Sequence, residues 1–280
     1  MQQLGVTVFG EVSSGLALPS LNVALTSLAV LVVGLILIYV LSKALKLRPT
    51  PITITKSRKE AVLASIVTII LFVIVFGWRT LTHMFQLLDE SPRAVIGTFD
   101  ILWGSFLYGM GFIVIFIAMK SSGQKLGSVG IARKDLGKML ALGLVLSAIY
   151  LAISGLLAPS LGGGFAGFSP ELAYGFVLYA IVGFSEEIFW RGYIQTRLVA
   201  YGGKLRGLLI TSLLFAVLWH FPVEFYMQSG AVLDALVNTL TRFAPGLLFG
   251  YLMLRSESVV PSSIFHLFWN WNILLWGLYL

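Results

Sequence analysis

The sequence predicts an all-α protein, a polytopic membrane bundle of eight transmembrane helices. The first reason is composition: the 280 residues are 58% hydrophobic and only 11% charged, whereas soluble domains average about 45–50% apolar and about 25% charged residues. The second is that the apolar residues fall into runs of about 20, the length at which a helix crosses the hydrocarbon core of a bilayer. We therefore expect an integral, multi-pass membrane protein, and a prokaryotic plasma membrane is the expected location.

Eight apolar runs are the predicted spans, and the fifth is long enough to protrude beyond the hydrocarbon. Gly202 and Gly203 separate the fifth run from the sixth, and Pro222 is expected to end the sixth. We divide the chain into 1–134, which holds three peripheral spans and basic loops, and 135–280, a five-helix core that carries the candidate chemistry. The runs are 22–42, 60–78, 98–119, 138–158, 171–199, 205–221, 232–254 and 259–279.

The net charge is +7, and the distribution of the basic residues along the chain agrees with the predicted topology. Most of the 19 Lys and Arg lie in alternate connections, namely 43–59, 120–138, 191–206 and Arg255. The positive-inside rule assigns these connections to the cytoplasm and both termini to the other side. The excess positive charge therefore needs no nucleic acid, and membrane lipid is the expected partner. Because the sequence has no cysteine, disulfides, thiolate metal sites and a cysteine nucleophile are excluded.

Two adjacent carboxylates, Glu186 and Glu187, and the guanidinium of Arg191 lie within the fifth apolar run. An ionised side chain near the bilayer centre costs at least about 2.5–3.5 kcal/mol, so these groups need partners, water or a function. Glu187 and Arg191 are four residues apart and are placed for an ion pair, whereas Glu186 is rotated by about 100° and suits a general base. Alternatively, both acids pair with Arg191 or Arg197 and only fix helix packing.

Two of the three histidines also lie in or at the end of apolar runs. Glu186 lies about 22 Å from the cytoplasmic end of the fifth helix, and His220 about 24 Å from that end of the returning sixth helix, so their side chains can meet. In the last run His266 and Asn270 are four residues apart and share one helix face. A lone buried histidine is usually a satisfied core group. Two of them with an asparagine and a spare carboxylate favour a site.

These residues resemble the three-motif signature of the CAAX prenyl endopeptidase and bacteriocin-processing family of membrane proteases. The motifs are Glu186-Glu187-x-x-x-Arg191, then His220, then His266-x-x-x-Asn270. The resemblance spans roughly residues 135–275, and the order, spacing and membrane location of the motifs fit. One position departs from the family pattern, which usually has Phe four residues before the histidine of the second motif. Here that position is Ala216, and Phe215 lies five residues before His220.

The resemblance implies an intramembrane, glutamate-dependent endopeptidase whose partner is a membrane-associated peptide or prenylated protein substrate of the CAAX type. It implies that Glu186 and His220 activate a water, and that His266 and Asn270 donate hydrogen bonds to the oxyanion. A carboxylate and an imidazole can polarise water, and fixed donors stabilise charge strongly in a site of low dielectric constant. Glu187 with Arg191 is then supporting structure around the catalytic groups.

The resemblance also implies a site without a metal or other cofactor. Zinc held by Glu186, His220 and His266 is the alternative, since all three are acceptable ligands. Two other functions stay open at this stage. One is a non-proteolytic family member that acts as a bacteriocin-immunity or membrane scaffold protein, and the other is a small transporter with Glu186 as proton carrier.

Overall fold

The computed structural model describes residues 21–47, 51–84, 98–131, 135–227 and 232–278, with the backbone alone at 21–27 and 98–100. These residues form eleven α-helices and no strand, which confirms the all-α prediction. Two π-helical segments, Ile188–Gln195 and Phe215–Trp219, join α5 to α6 and α7 to α8. The α-helices are α1 (Leu21–Ala44), α2 (Ser57–Met84), α3 (Thr98–Ser122), α4 (Leu136–Leu157), α5 (Pro170–Glu187), α6 (Thr196–Gly202), α7 (Lys204–Leu214), α8 (His220–Met227), α9 (Val232–Leu240), α10 (Phe243–Ser256) and α11 (Val259–Leu275).

Six helical stretches of the described chain are long and apolar enough to cross a membrane, as expected for a multi-pass membrane protein. The first and eighth predicted spans correspond to α1 and α11. Helix α11 has 17 residues, and most side chains of its first half are buried inside the bundle. Eight crossings therefore stay a prediction. The six stretches are Ser57–Met84, Ile101–Ser122, Leu136–Leu161, Pro170–Gly202, Lys204–Tyr226 and Val232–Ser256.

Helix α11 packs against α5 and α4 through glycines on both partners. A Cβ atom on Gly183 of α5 would lie 2.9 Å from the backbone nitrogen of Leu267, and one on Gly143 of α4 would lie 2.9 Å from Cβ of Ile264. Small residues allow transmembrane helices to approach closely. The end of α5 that carries the two glutamates is therefore held directly against the part of α11 that carries His266.

Helix α10 closes the other side of this region and packs against α1 and α7. Its glycines Gly246 and Gly250 are four residues apart, and a Cβ atom on Gly250 would lie 2.5 Å from Cδ1 of Leu208. The carbonyl oxygens of the two glycines accept hydrogen bonds from Arg191 Nη2 at 3.4 Å and Gln195 Nε2 at 2.8 Å. The π-helical segment after α5 is thus tied to α10 by polar side chains.

Pro222 does not end the sixth span, contrary to the prediction, because the helix continues to Met227. Helix α8 begins at His220, directly after the second π-helical segment. Pro222 therefore lies in a first helical turn, where its missing N–H group is tolerated. The seventh predicted span is also divided, since a turn at Thr241 and Arg242 separates α9 from α10.

Two of the basic residues assigned to cytoplasmic connections do not lie in loops. Arg191 and Arg197 were predicted there, but both side chains are fully buried within the bundle. Both have acidic and carbonyl partners there, so they are packing or site residues and not loop charges. Part of the remaining argument falls on segments 1–20, 48–50, 85–97 and 132–134, which lie outside the described residues.

Candidate active site

The predicted ion pair between Glu187 and Arg191 is present. Arg191 Nη1 lies 3.0 Å from Glu187 Oε1, and both side chains are buried. The guanidinium also lies against two aromatic rings, 4.2 Å from the centroid of Phe215 and 5.3 Å from that of Phe249. A buried charge of this kind is tolerated only when it is paired and packed. The pair therefore fixes the end of α5 against α7–α8 and α10.

His266 joins this pair from α11. Its Nδ1 lies 3.0 Å from Glu187 Oε1, and its Nε2 lies 3.8 Å from Glu186 Oε2. Because an ionised carboxylate only accepts hydrogen bonds, Nδ1 is the donor in the shorter contact. The ring also stacks on Phe249, with centroids 4.5 Å apart and planes at 20°. Glu187 and Phe249 thus hold the imidazole so that its second nitrogen faces Glu186.

Glu186 is buried, at 4% exposure, and in the described ranges it pairs with no Lys or Arg. Its Oε1 accepts a hydrogen bond from the hydroxyl of Tyr108 at 2.7 Å. Its Oε2 has no hydrogen-bond partner among the described residues. Arg197, the other cation that sequence reasoning offered, lies 3.5 Å from Glu60 instead. The alternative in which both acids are neutralised by Arg191 or Arg197 therefore does not hold for Glu186.

His220 is the first residue of α8 and is half-buried. Its ring meets Phe215 edge-on with centroids 4.7 Å apart, and Phe215 also faces the ring of His266 at 6.3 Å. The two imidazoles therefore adjoin the same aromatic ring. The Nε2 atom of His220 is buried and has no hydrogen-bond partner in the described part of the chain.

Asn270 lies one turn beyond His266 on α11 and is half-buried, as the predicted shared face requires. Asn272 on the same helix differs from it. Asn272 is buried and donates a hydrogen bond to the hydroxyl of Tyr150 at 3.5 Å, which ties α11 to α4. The amide of Asn272 therefore serves the packing of α11 on α4.

The π-helical segment Phe215–Trp219 accounts for the displaced phenylalanine of the second motif. In an α-helix, the residue four positions before His220 would lie beside it, and that residue is Ala216. A π-helix pairs residues five apart, so the residue five positions earlier takes that place. The observed contact of Phe215 with His220 follows from this wider turn.

Two polar contacts of the site were missed by sequence reasoning. Tyr108 belongs to α3, and an isolated tyrosine in an apolar run was its only signal. Glu224 lies four residues after His220 in α8 and pairs with Arg242 at 3.6 Å. Their sequence separation gave no indication that they meet. No group of three His, Asp or Glu side chains in the described part of the chain is arranged to hold a metal ion.

Residues 168–272 match the family model of type II CAAX prenyl endopeptidase, Rce1-like. We refer to residues 168–272 as the Rce1-like region, after the family model that they match. The resemblance drawn from the three motifs is thereby confirmed, and the family name implies a protein substrate. Comparison with curated proteins and with solved structures found no match. The Rce1-like region contains all six predicted site residues, whereas Tyr108 of α3 lies before it.

Proposed function

We propose that this protein is an intramembrane, glutamate-dependent endopeptidase with eight transmembrane helices, and that it cleaves a membrane-associated substrate of the prenylated CAAX type. One observation carries the proposal. Glu186 is a buried carboxylate that forms no salt bridge with a described Lys or Arg, and one of its oxygens has no hydrogen-bond partner among the described residues. Ionisable residues inside membrane segments are costly and usually serve a function. The division into a peripheral part, 1–134, and a catalytic core, 135–280, and the prokaryotic plasma membrane belong to the same proposal.

In the proposed reaction Glu186 and His220 hold a water molecule, and Glu186 takes its proton as the oxygen bonds to the substrate carbonyl carbon. The carbonyl electron pair moves to the oxygen, where His266 and Asn270 donate hydrogen bonds to the oxyanion. When this intermediate collapses, the C–N bond breaks and Glu186 returns the proton to the leaving amine. Acid–base catalysis and oxyanion stabilisation of this kind are each worth about 10²-fold or more.

The proposed role of Glu187 and Arg191 is to hold His266 in place. The 3.0 Å contact from His266 Nδ1 to Glu187 Oε1 leaves Nε2 as the nitrogen that faces Glu186. A second proton on Nε2 would make the ring an imidazolium between two carboxylates, and so a strong donor to an oxyanion. Arg191 forms an ion pair with Glu187 at 3.0 Å and so holds the carboxylate that contacts His266.

The test is cleavage of a prenylated reporter peptide by the purified protein in detergent or liposomes. Glu186→Ala, His220→Ala and His266→Ala are each expected to lower kcat by about 10²-fold or more, because each removes a group that acts on the reacting atoms. Glu171→Ala is the matched control, since Glu171 lies on the same helix but in its first turn, far along the helix from Glu186. Its kcat should equal that of the wild type.

Three other outcomes would contradict parts of the proposal. If neither the wild type nor any variant cleaves the peptide, a scaffold or immunity function becomes the better explanation. If a chelator abolishes cleavage and zinc restores it, the reaction depends on a metal and the water is activated differently. If Glu186→Ala retains wild-type turnover, the assignment of the general base is wrong.

A further inference from the structure

One hydrogen bond of the candidate site comes from outside the Rce1-like region. Tyr108 in α3 donates its hydroxyl to Glu186 Oε1 at 2.7 Å, and both side chains are at least nine-tenths buried. We infer that Tyr108 is a positioning residue, which fixes the Glu186 carboxylate and leaves Oε2 as the oxygen that takes the proton. This inference rests on the proposed function and adds a residue that the motifs do not contain.

The two oxygens of Glu186 have different surroundings. Oε1 is occupied by the tyrosine hydroxyl, whereas Oε2 has no hydrogen bond in the described part of the chain and lies 3.8 Å from His266 Nε2. The terminal torsion of a glutamate has broad energy minima, so the plane of a free carboxylate is poorly fixed. A charge-assisted hydrogen bond to one oxygen is strong enough to fix that plane, particularly in a buried environment.

Tyr108 is itself held in place by the surrounding aromatic residues. Its ring centroid lies 6.1 Å from that of Phe189 and 6.1 Å from that of Trp219. Three residues further along α3, a Cβ atom on Gly111 would lie 2.6 Å from the ring of Phe189. The glycine thus allows α3 to approach the π-helical segment that follows Glu187. These contacts hold the ring where its hydroxyl reaches Glu186.

A simpler explanation is that a buried hydroxyl merely takes the nearest acceptor. Tyr193 argues against it, since its side chain is fully buried in the same aromatic cluster while its hydroxyl has no hydrogen-bond partner among the described residues. This bundle therefore accommodates a tyrosine without a bond to a carboxylate. Tyr193 also supplies a matched control, because removing its hydroxyl breaks no hydrogen bond.

The first experiment compares Tyr108→Phe with Tyr193→Phe in the peptide cleavage assay. Tyr108→Phe should lower kcat by about 10- to 100-fold with little change in KM, the size expected for a hydrogen bond to a charged acceptor. Tyr193→Phe should leave both constants unchanged. In the double variant Tyr108→Phe with Glu186→Gln, the loss should equal that of Glu186→Gln alone, because the hydroxyl acts only through that carboxylate.

The second experiment does not depend on proteolysis. Dicyclohexylcarbodiimide adds to buried neutral carboxyl groups, and peptide mass spectrometry measures its addition to Glu186. Without the tyrosine hydroxyl, Oε1 has lost its hydrogen-bond partner and is open to the reagent. Labelling of Glu186 should therefore be several-fold faster in Tyr108→Phe and unchanged in Tyr193→Phe. Thermal unfolding of both variants in detergent checks that the bundle is retained.

The outcomes separate this inference from the proposed function. If the wild type cleaves the peptide while Tyr108→Phe matches it in kcat and in labelling, Tyr108 has no positioning role and the inference fails alone. If Tyr108→Phe lowers kcat as much as Glu186→Gln does, and the two losses of kcat add in the double variant, the hydroxyl takes part in the reaction directly. The positioning role is then wrong. If no protein cleaves the peptide but labelling still rises, the proposed function fails while the control of Glu186 by Tyr108 is supported.

Discussion

Two buried charge clusters lie along the continuous helical stretch from α5 to α6, and they differ in how completely they are paired. At the first there are two carboxylates and one guanidinium, and Arg191 pairs with Glu187 and not with Glu186. At the second, one carboxylate meets one guanidinium, Glu60 and Arg197, at 3.5 Å. Both arginines are fully buried, so burial alone does not distinguish the two clusters.

We call the second cluster closed because its carboxylate faces its own guanidinium, and the first cluster open because Glu186 does not. Arg197 donates to the carbonyl oxygen and the hydroxyl of Ser128, both at 2.8 Å, and to the hydroxyl of Thr196 at 2.9 Å. Its guanidinium also lies 4.2 Å from the ring of Tyr193. This cluster joins α2, α6 and the short helical turn Leu126–Val129, which contains Ser128. A buried charge in a membrane helix is therefore no sign of catalysis by itself, whereas an excess carboxylate such as Glu186 is.

The strongest test of this contrast is Arg197→Met. It leaves the carboxylate of Glu60 buried without a cation, and the free energy of unfolding should fall by about 3–5 kcal/mol. Equilibrium unfolding in mixed detergent micelles measures the loss. Turnover per folded molecule should not change, because the cluster is closed.

The control for that variant is the double replacement Glu60→Leu with Arg197→Met, which removes both charges. Because a buried ion pair replaced by apolar residues of similar volume is often neutral, the double variant should recover most of the lost stability. A drop in turnover with normal stability would place the Arg197 cluster in the site and contradict the comparison.

Gly183→Ala should damage the open cluster with a smaller effect on the closed one. The new Cβ would lie 2.9 Å from a backbone atom of α11, and a backbone cannot move aside as a flexible side chain can. His266 would then shift relative to Glu186 and Glu187, and a displacement of about 1 Å can lower kcat by about 10²-fold. Steady-state kinetics of the reporter peptide measure it.

Gly109→Ala in α3 is the matched control, since a Cβ atom there meets nothing within 4 Å. It should be neutral or slightly stabilising, because alanine favours a helix more than glycine does. Equal losses of kcat from both substitutions would mean that the close contact of α5 with α11 does not position the site.

Glu186→Gln should change stability in the opposite direction from Arg197→Met. It removes a buried charge that has no cation but keeps the shape and an acceptor for Tyr108. We expect the free energy of unfolding to rise by about 0.5–2 kcal/mol, as is common when a strained functional group is neutralised. The same unfolding assay measures it. A clear loss of stability would show that Glu186 is a structural acid, like Glu60.

The sequence could predict those features of the fold and site that depend on the spacing of residues along the chain. The apolar runs gave the helices, and the four-residue separation of Glu187 and Arg191 gave their ion pair. The motifs also indicated that residues from α5 and α11 lie together, and His266 does contact Glu187 and approach Glu186. Each of these follows from helix geometry and hydrophobicity, which depend on neighbours in the chain.

The rest depends on contacts between distant segments or on departures from the α-helix. Glu60 and Arg197 are far apart in the sequence, so nothing local indicates that Arg197 is taken by another acid. Tyr108 reaches Glu186 because α3 packs on α5, which its apolar run cannot specify. The extended sixth span and the place of Phe215 both depend on a π-helical segment, and one additional residue per turn has no clear sequence signature.

The smallest expected effect tests that π-helical segment. Phe215→Leu keeps an apolar side chain but removes the ring that lies 4.2 Å from the guanidinium of Arg191 and 4.7 Å from the ring of His220. Aromatic and cation–π contacts are each worth about 0.5–1.5 kcal/mol, so kcat should fall by a few-fold to about tenfold.

Phe265→Leu is the control. Phe265 is buried against the rings of Tyr150, Phe249 and Trp269, and these ring contacts include no charged group. Phe265→Leu should lower stability and leave turnover per folded molecule intact, whereas Phe215→Leu should lower both. If the two variants show the same ratio of lost turnover to lost stability, the ring that the wide turn places beside His220 is only packing.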